Sequence, residues 1–417
     1  MYENVLFQNA VPLLERDIKS GRLPRAILFS GGECCGKLTT ALETARVISC
    51  AARSQGKPFG QWNCSCPSCQ KHRALVSQNL MLLGPRDCTL EIKAAKKAFA
   101  SSCALGDSHV NATRFLFLRS VRKLEARFSP ILFAGSDKLS KIAALTSEID
   151  ELMEELDVEH ELPEAKKVDE LAQKISDVCQ KLEGDFLYDS IPILQIRNLS
   201  EWAHIGAAEG KKVIIIERAE RMPEGARNAL LKILEEPPEE TLFILTTRAR
   251  NAVMPTILSR VRTYNFSSRN LEQSKEIIDR VFHDGAECEI KNYLETFLPV
   301  TPEAVSQIAK NFLAEILSGA IPDVSETIKK CGKFEPRILF KIFLDSILNS
   351  IRASFESAGG TQAALECKEH VQNCYNNVST YNQGIQAALE ELVRNIASTN
   401  KRHVNQLKIA KKMAKEF

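Results

Sequence analysis

Two groups of residues have the types and spacing that chemistry requires. The first is Gly31-Gly32-Glu33-Cys34-Cys35-Gly36-Lys37, which follows the apolar run Ala26–Ser30 and opens a stretch with helical periodicity. Glycines at that spacing let backbone N–H groups curl round a phosphate, and the helix N-terminus adds positive potential. Lys37 would reach the terminal phosphates of a nucleotide. The next position normally supplies a hydroxyl to Mg²⁺, but here it is Leu38. Thr39 comes one residue late, and a helical step turns it by about 100°. Gly31, Gly36, Lys37, Leu38 and Thr39 are therefore the candidate residues for binding ATP or ADP, with the magnesium position lacking its hydroxyl. The same glycines also suit a turn that holds no ligand. Cys34 and Cys35 are small loop fillers, or thiols whose acidity a helix N-terminus raises.

A hydrolytic site also needs an acid near Mg²⁺ and another to polarise water. The β-branched run Val213–Ile216 ends in Glu217-Arg218-Ala219-Glu220. Arg218 stands where a second consecutive carboxylate is expected. Glu217 is the candidate acid and Glu220 its alternative; a solvated strand end reads the same way.

The second group is Cys50, Cys64, Cys66 and Cys69, four of the thirteen cysteines packed into twenty residues. An odd cysteine count with one local cluster points to a metal in a reducing compartment rather than to disulfides. Four thiolates make a tetrahedral zinc site with no open position, so its role would be structural. Only Cys66 and Cys69 keep C-x-x-C spacing, and Asn63 stands one residue before Cys64. His72 is a possible substitute ligand, and free thiols are the alternative.

The elements that must position these groups alternate. Ala26–Ser30, Val213–Ile216 and Thr241–Thr246 read as buried strands. Glu224–Leu234 reads as a helix stopped by Pro237-Pro238. Strand, helix and strand in turn predict a parallel α/β sheet. Residues of about 87–187 differ. Ile142–Leu182 predicts two long helices broken near Pro163, forming a hairpin. Arg114, Arg119, Arg122, Lys123 and Arg127, interleaved with Phe115, Phe117 and Phe128, predict a buried apolar face beside a solvated basic one; the composition also suits nucleic acid. From Asn270 onward only helices are predicted, with loops at Gly359-Gly360 and Asn382–Gly384, and a basic helical segment at Lys401–Lys415.

The whole chain has 417 residues, enough for two or three domains. With 55 Lys+Arg against 53 Asp+Glu it is no polycationic tail, and 44% apolar residues exclude disorder. It has neither a membrane-length apolar run nor a basic-then-apolar N-terminus, so a cytoplasmic location is expected.

Several strings, taken together, resemble bacterial clamp-loader subunits of the AAA+ family. They are Gly21–Phe29 (GRLPRAILF), Ile193–Leu199 (ILQIRNL), Asn228–Pro238 (NALLKILEEPP) and Thr256–Val261 (TILSRV), in the family's order. In the last of these Val261 replaces the usual cysteine. The resemblance covers about residues 1–80 and 190–266. It implies an α/β AAA+ module over 1–268, with a zinc segment at 50–72 and an insertion at about 87–187. A small helical lid over 269–318 and an all-α collar over 319–417 would come next. The implied function is a non-hydrolysing stator of the DNA polymerase III clamp loader. Its partners would be the gamma/tau and delta subunits in a hetero-pentameric ring, the sliding clamp and primed DNA. By position, Arg260 would be the arginine finger supplied in trans to a neighbour's ATP, and Thr246 or Thr247 the sensor. The Gly-Ser-x-Arg-Asp lid string by which the gamma/tau subunit touches ATP is absent after Asn270. Two alternatives are a hydrolysing gamma/tau-type motor and a zinc-dependent DNA-binding module on the same scaffold.

Overall fold

A computed structural model describes residues 1–403 apart from 54, 55, 57, 86, 207–209, 357–360 and 380–382. Gly359, Gly360, Asn382 and most of the basic segment Lys401–Lys415 lie outside the described residues. The chain divides into two compact units, Met1–Leu294 and Glu295–Phe417.

In the first unit five strands make one parallel sheet of order β2-β3-β4-β1-β5. They are β1 (Ala26–Ser30), β2 (Leu80–Leu83), β3 (Lys212–Ile216), β4 (Thr241–Thr247) and β5 (Arg262–Asn265). Both faces are covered, so β1 to β4 read as apolar runs rather than as alternation, while the edge strand β5 is mostly polar. Leu28, Met81, Leu83, Ile214, Ile216, Phe243 and Leu245 enter one core. Ile27, Phe29, Leu82, Val213, Ile215, Leu242 and Ile244 enter the other.

The helices of this unit are α1 (Ala10–Lys19), α2 (Lys37–Ile48), α3 (Pro67–Ala74), α4 (Cys88–Leu105), α5 (Val110–Glu125), α6 (Leu139–Glu154), α7 (Ala165–Phe186), α8 (Ile193–His204), α9 (Glu224–Glu235), α10 (Pro255–Leu258), α11 (Leu271–Phe282) and α12 (Ile290–Glu295). Helices α1 and α2 cover one sheet face. Helices α8 and α9 and the insertion cover the other.

The insertion holds four helices, of which sequence periodicity gives only α6 and α7, the hairpin broken near Pro163. Helix α5 packs on α4, and α7 packs on α4, α5 and α6. Phe117 and Phe128 are buried, as the pattern predicts. The basic residues depart from it. Arg114 is buried and donates to the carbonyls of Leu156, Asp157 and His160, closing the end of α6. Arg127 is buried too. These arginines satisfy backbone carbonyls and a carboxylate inside the fold, where a solvated face was expected.

The insertion also anchors the first helix beyond the sheet. Helix α11 packs on α4 and α5. Lys97 donates to Asp284 at 2.7 Å, and the rings of His109 and His283 stack with centroids 4.2 Å apart.

Two carboxyls inside the insertion carry a pH dependence. Burial, reinforced by Asp150, pushes Glu125 up to about 8, and its Oε1 is sealed from solvent with no hydrogen-bond partner. Burial, with Asp87 nearby, raises Glu183 to about 7 against the two hydrogen bonds it accepts from Thr89. A folded-state pKa above the unfolded value means stability is fully present below about 4.5 and is lost as pH rises through the folded value. Unfolding followed in urea at pH 5 and pH 8 is therefore expected to show lower stability at pH 8. Glu125→Gln is expected to shrink that difference, chiefly by stabilising the chain at pH 8.

In the second unit α13 (Pro302–Ser318), α14 (Val324–Lys330), α15 (Ile338–Glu356), α16 (Thr361–Ser379) and α17 (Ile385–Arg402) form a bundle. Helix α15 packs on α13 and α16, and α17 on α13, α14 and α16. Phe312, Phe334, Phe340 and Phe343 form edge-on ring contacts in its core. No described residue after Asn270 is in a strand, as the sequence predicts.

Candidate functional site

In a parallel sheet, ligands sit beyond the carboxyl ends of the strands. That edge gathers the loop after β1, the acids after β3 and the residues after β4. Gly31 leaves β1 under close constraint: a Cβ there would lie 2.6 Å from the Phe266 carbonyl oxygen. Gly36, in the left-handed region, is the N-cap of α2, and Lys37 is its first residue. Strand, glycine loop and helix therefore stand in the arrangement the motif requires.

The side chains turn that loop inward. Lys37 Nζ donates to the Gly31 carbonyl at 2.6 Å, to the Gly32 carbonyl, and to Cys35 Sγ at 3.4 Å. Arg269 lies across the loop, donating to the Cys34 carbonyl at 2.5 Å and the Leu6 carbonyl at 3.2 Å. Its Nη2 would sit 2.8 Å from a Cβ on Gly36. Glu33 is ion-paired with Arg248, which follows β4. Leu38 is buried in the core between α2 and the sheet, so its position offers apolar surface and no oxygen. Thr39 is half-buried on the next step of the helix.

The acid after β3 is engaged from the insertion. Glu217 is 8% exposed, and its carboxylate is ion-paired with the guanidinium of Arg127, which is fully buried. Arg127 also donates to the Gly84 carbonyl at 2.7 Å. Gly84 holds φ at +104°, and a Cβ there would lie 2.2 Å from the Glu217 carbonyl oxygen, so only glycine lets β2 end this close to β3. Arg218 pairs with Asp87 at 3.6 Å. Thr246 Oγ1 accepts from the Arg218 N–H at 3.4 Å, and Thr247 Oγ1 accepts from the Ala249 N–H at 3.1 Å. Sequence reasoning singled out Glu217 but did not find the partner that occupies it. The ninety residues between them carry no local signal.

Arg260 stands apart from this group. It follows α10 and is partly exposed, donating to Glu235 Oε1 at 2.7 Å and to the Thr256 carbonyl at 2.8 Å. Glu235 is the last residue of α9 and belongs to the Leu-Leu-Lys string.

The four cysteines converge. The sulfurs of Cys50, Cys64, Cys66 and Cys69 all lie within 4.8 Å of one another, and none of the four is in a disulfide. Cys50 Sγ and Cys64 Sγ are 3.7 Å apart. Zn–S bonds of about 2.3 Å at a tetrahedral centre put sulfurs about 3.8 Å apart, so this donor set fits a tetrahedral thiolate-binding ion. Cys50 follows α2, while Cys66 caps the N-terminus of α3 and Cys69 sits in its first turn. The one-residue shift at Cys64 is absorbed by the loop. Burial disfavours the Cys66 thiolate, yet backbone N–H groups of Cys69 and Ala51 bring it down to about 7. His72 is buried beside the group, its Nε2 meeting Ser77 Oγ at 3.3 Å, and the four sulfurs gather without it. Burial, with the nearby Arg46 charge, lowers its pKa to about 4.

A parallel sheet with a glycine loop after β1 and an acid after β3, continued by helices, defines an α/β module of the AAA+ class followed by an all-α region. A profile of the family described as DNA polymerase III, delta subunit, matches residues 7–270, and the chain belongs to that family. It is 40% identical over 83 residues to the DNA polymerase III subunit delta' of Haemophilus influenzae, covering 20% of this chain and 25% of that one. It is 33% identical over 127 residues to subunit delta' of Bacillus subtilis, covering 30% and 38%. It is 29% identical over 119 residues to subunit tau of Escherichia coli, covering 26% and 18%. The chain thus spans less than two fifths of the length of each of these relatives. Among the described residues no helix is long and apolar enough to cross a membrane.

Proposed function

We propose that this chain is a clamp-loader subunit of the delta-prime kind. It helps load the sliding clamp onto primed DNA, in a ring with gamma/tau and delta subunits, and does not hydrolyse ATP itself. The observation that carries the reading is the buried Arg127–Glu217 pair. A carboxylate neutralised by a guanidinium is lost as a ligand for Mg²⁺, and Leu38 removes the hydroxyl that would be the ion's other protein ligand. Together they weigh against the gamma/tau-type motor. For ATP or ADP to enter, Lys37 must exchange the carbonyls of Gly31 and Gly32 for phosphate oxygens, and Arg269 must move off Gly36. In the same reading Arg260 is the finger given to a neighbour's nucleotide. Residues 269–318 are the lid and 319–417 the collar that holds the ring. Cys50, Cys64, Cys66 and Cys69 hold a structural zinc, and the protein works in the cytoplasm.

The test is steady-state ATP hydrolysis by the purified chain, with and without primed DNA, beside Lys37→Ala. The expected result is no turnover above that variant. Turnover abolished by Lys37→Ala would overturn the stator reading and move the chain to the motor position.

A further inference from the structure

The four-cysteine site must hold together across the long gap between Cys50 and Cys64, and one buried side chain joins the helix before Cys50, the backbone before Cys64 and the sulfur of Cys69. Arg46 lies on α2, four residues before Cys50. It is 1% exposed, as is its partner Glu43. A guanidinium has five N–H donors in a fixed fork, and here each has an acceptor. Nε and Nη2 donate to the two Glu43 carboxylate oxygens at 3.0 and 2.6 Å. Nη2 donates to the Gly60 carbonyl at 2.8 Å, and Nη1 to the Gln61 carbonyl at 2.9 Å. The fifth bond runs from Nη1 to Cys69 Sγ at 3.3 Å. The Trp62 ring lies 5.5 Å from the Arg46 guanidinium and 5.8 Å from that of Arg73, which donates to the Cys64 carbonyl at 2.8 Å.

We infer that Arg46 is the positioning residue of the cysteine site, and that retention of a divalent thiophilic ion there depends on it. This rests on the zinc reading above. Two physical effects act together. The fork fixes the Gly60–Gln61 backbone, and with it the approach of Cys64, to the same helix that delivers Cys50. The N–H aimed at Cys69 offsets charge on a sulfur of a four-thiolate set, which keeps a net negative charge even with a divalent ion bound. Glu43 holds the fork in the one orientation that does both. Lysine keeps the charge and loses the fork, so it would not substitute.

The experiment uses the full chain loaded with zinc and titrated with a chromogenic chelator, comparing wild type, Arg46→Lys and Glu43→Gln. Partners one shell out from a metal typically change affinity by about 10–100-fold, and a loss in that range is expected for Arg46→Lys. With cobalt substituted for zinc, the sulfur-to-cobalt charge-transfer band is expected to shift in Arg46→Lys, because Cys69 loses its donor. A merely structural role would leave the band of the folded variant where it was. A folded Arg46→Lys chain with unchanged affinity and an unchanged band overturns the inference. Should Arg46→Lys not fold, the decision passes to Glu43→Gln, which keeps the guanidinium but loosens its hold: weaker zinc retention supports the inference, and unchanged retention overturns it. Wild-type chain that takes up no zinc overturns the metal reading itself, a separate outcome.

Discussion

Arg260→Ala is expected, on the finger role proposed above, to lower ATP turnover at the one site it serves in the reconstituted ring by about 10³-fold or more, the usual worth of an arginine finger, while leaving the fold of this chain intact. The physical basis is the exposure of the side chain and the weakness of what holds it. Its bond to Glu235 is a partly exposed ion pair, a class worth only about 0.2–1 kcal/mol. The guanidinium can therefore leave Glu235 for a phosphate of a neighbouring subunit at small cost. Loss of the side chain removes a surface pair, so urea unfolding of the chain alone should move by less than about 1 kcal/mol. Arg260→Lys keeps the charge without the planar fork and should recover only a small part of the turnover. Ring turnover unchanged by Arg260→Ala, in a ring that still assembles, would take the finger away from this residue.

Much of the module can be read from the sequence because its signals are local. A β-branched run bounded by charges gives β3, and helical spacing stopped by two prolines gives α9. Helix α6 and helix α7 follow from periodicity on either side of Pro163. Strands β2 and β5 escape for opposite reasons. Leu80–Leu83 is four residues of leucine and methionine, with no β-branching to separate it from a helix. Arg262–Asn265 is an edge strand with mostly polar side chains. The glycine loop and the cysteine group are legible as clusters, since each lies within twenty residues. The groups that control them are not. Arg269 reaches the loop from the far side of the sheet sequence, Arg127 reaches Glu217 from the insertion, and Arg46 sits in a helix where one more arginine looks like surface. An arginine reads as solvated by composition. Only the tertiary fold shows that these three are spent on carbonyls, a carboxylate and a sulfur.

That arrangement gives the insertion a defined place in the module. Its residues enter the same core as one face of the sheet. Arg119 donates to the Arg73 carbonyl and Arg122 to the Ala74 carbonyl, which ties α5 to the end of the helix that carries Cys69. Lys97 and His109 hold the segment after α11. One block of helices thus touches the cysteine segment, the acid of the strand edge and the first helix beyond the sheet. On the stator reading proposed above, such a brace would keep the parts of the module in fixed positions while neighbours change state.

The Arg127–Glu217 pair is where that brace can be tested most sharply. Arg127→Met is expected to cost about 3–5 kcal/mol in urea unfolding, because breaking a buried pair leaves an uncompensated charge in the interior. Glu217 is only 8% exposed, and its backbone is held between Leu83 and the close approach of Gly84. Arg127→Met combined with Glu217→Gln is expected to be markedly more stable than Arg127→Met alone, because the second change removes the stranded charge. The double-mutant cycle then returns the coupling between the two side chains free of the packing each contributes by itself. A cycle that closes to additivity within about 0.5 kcal/mol would mean that the pair is a contact of convenience. Glu217 would then again be available as an acid of the strand edge, and the strongest physical argument against hydrolysis by this chain would fall with it.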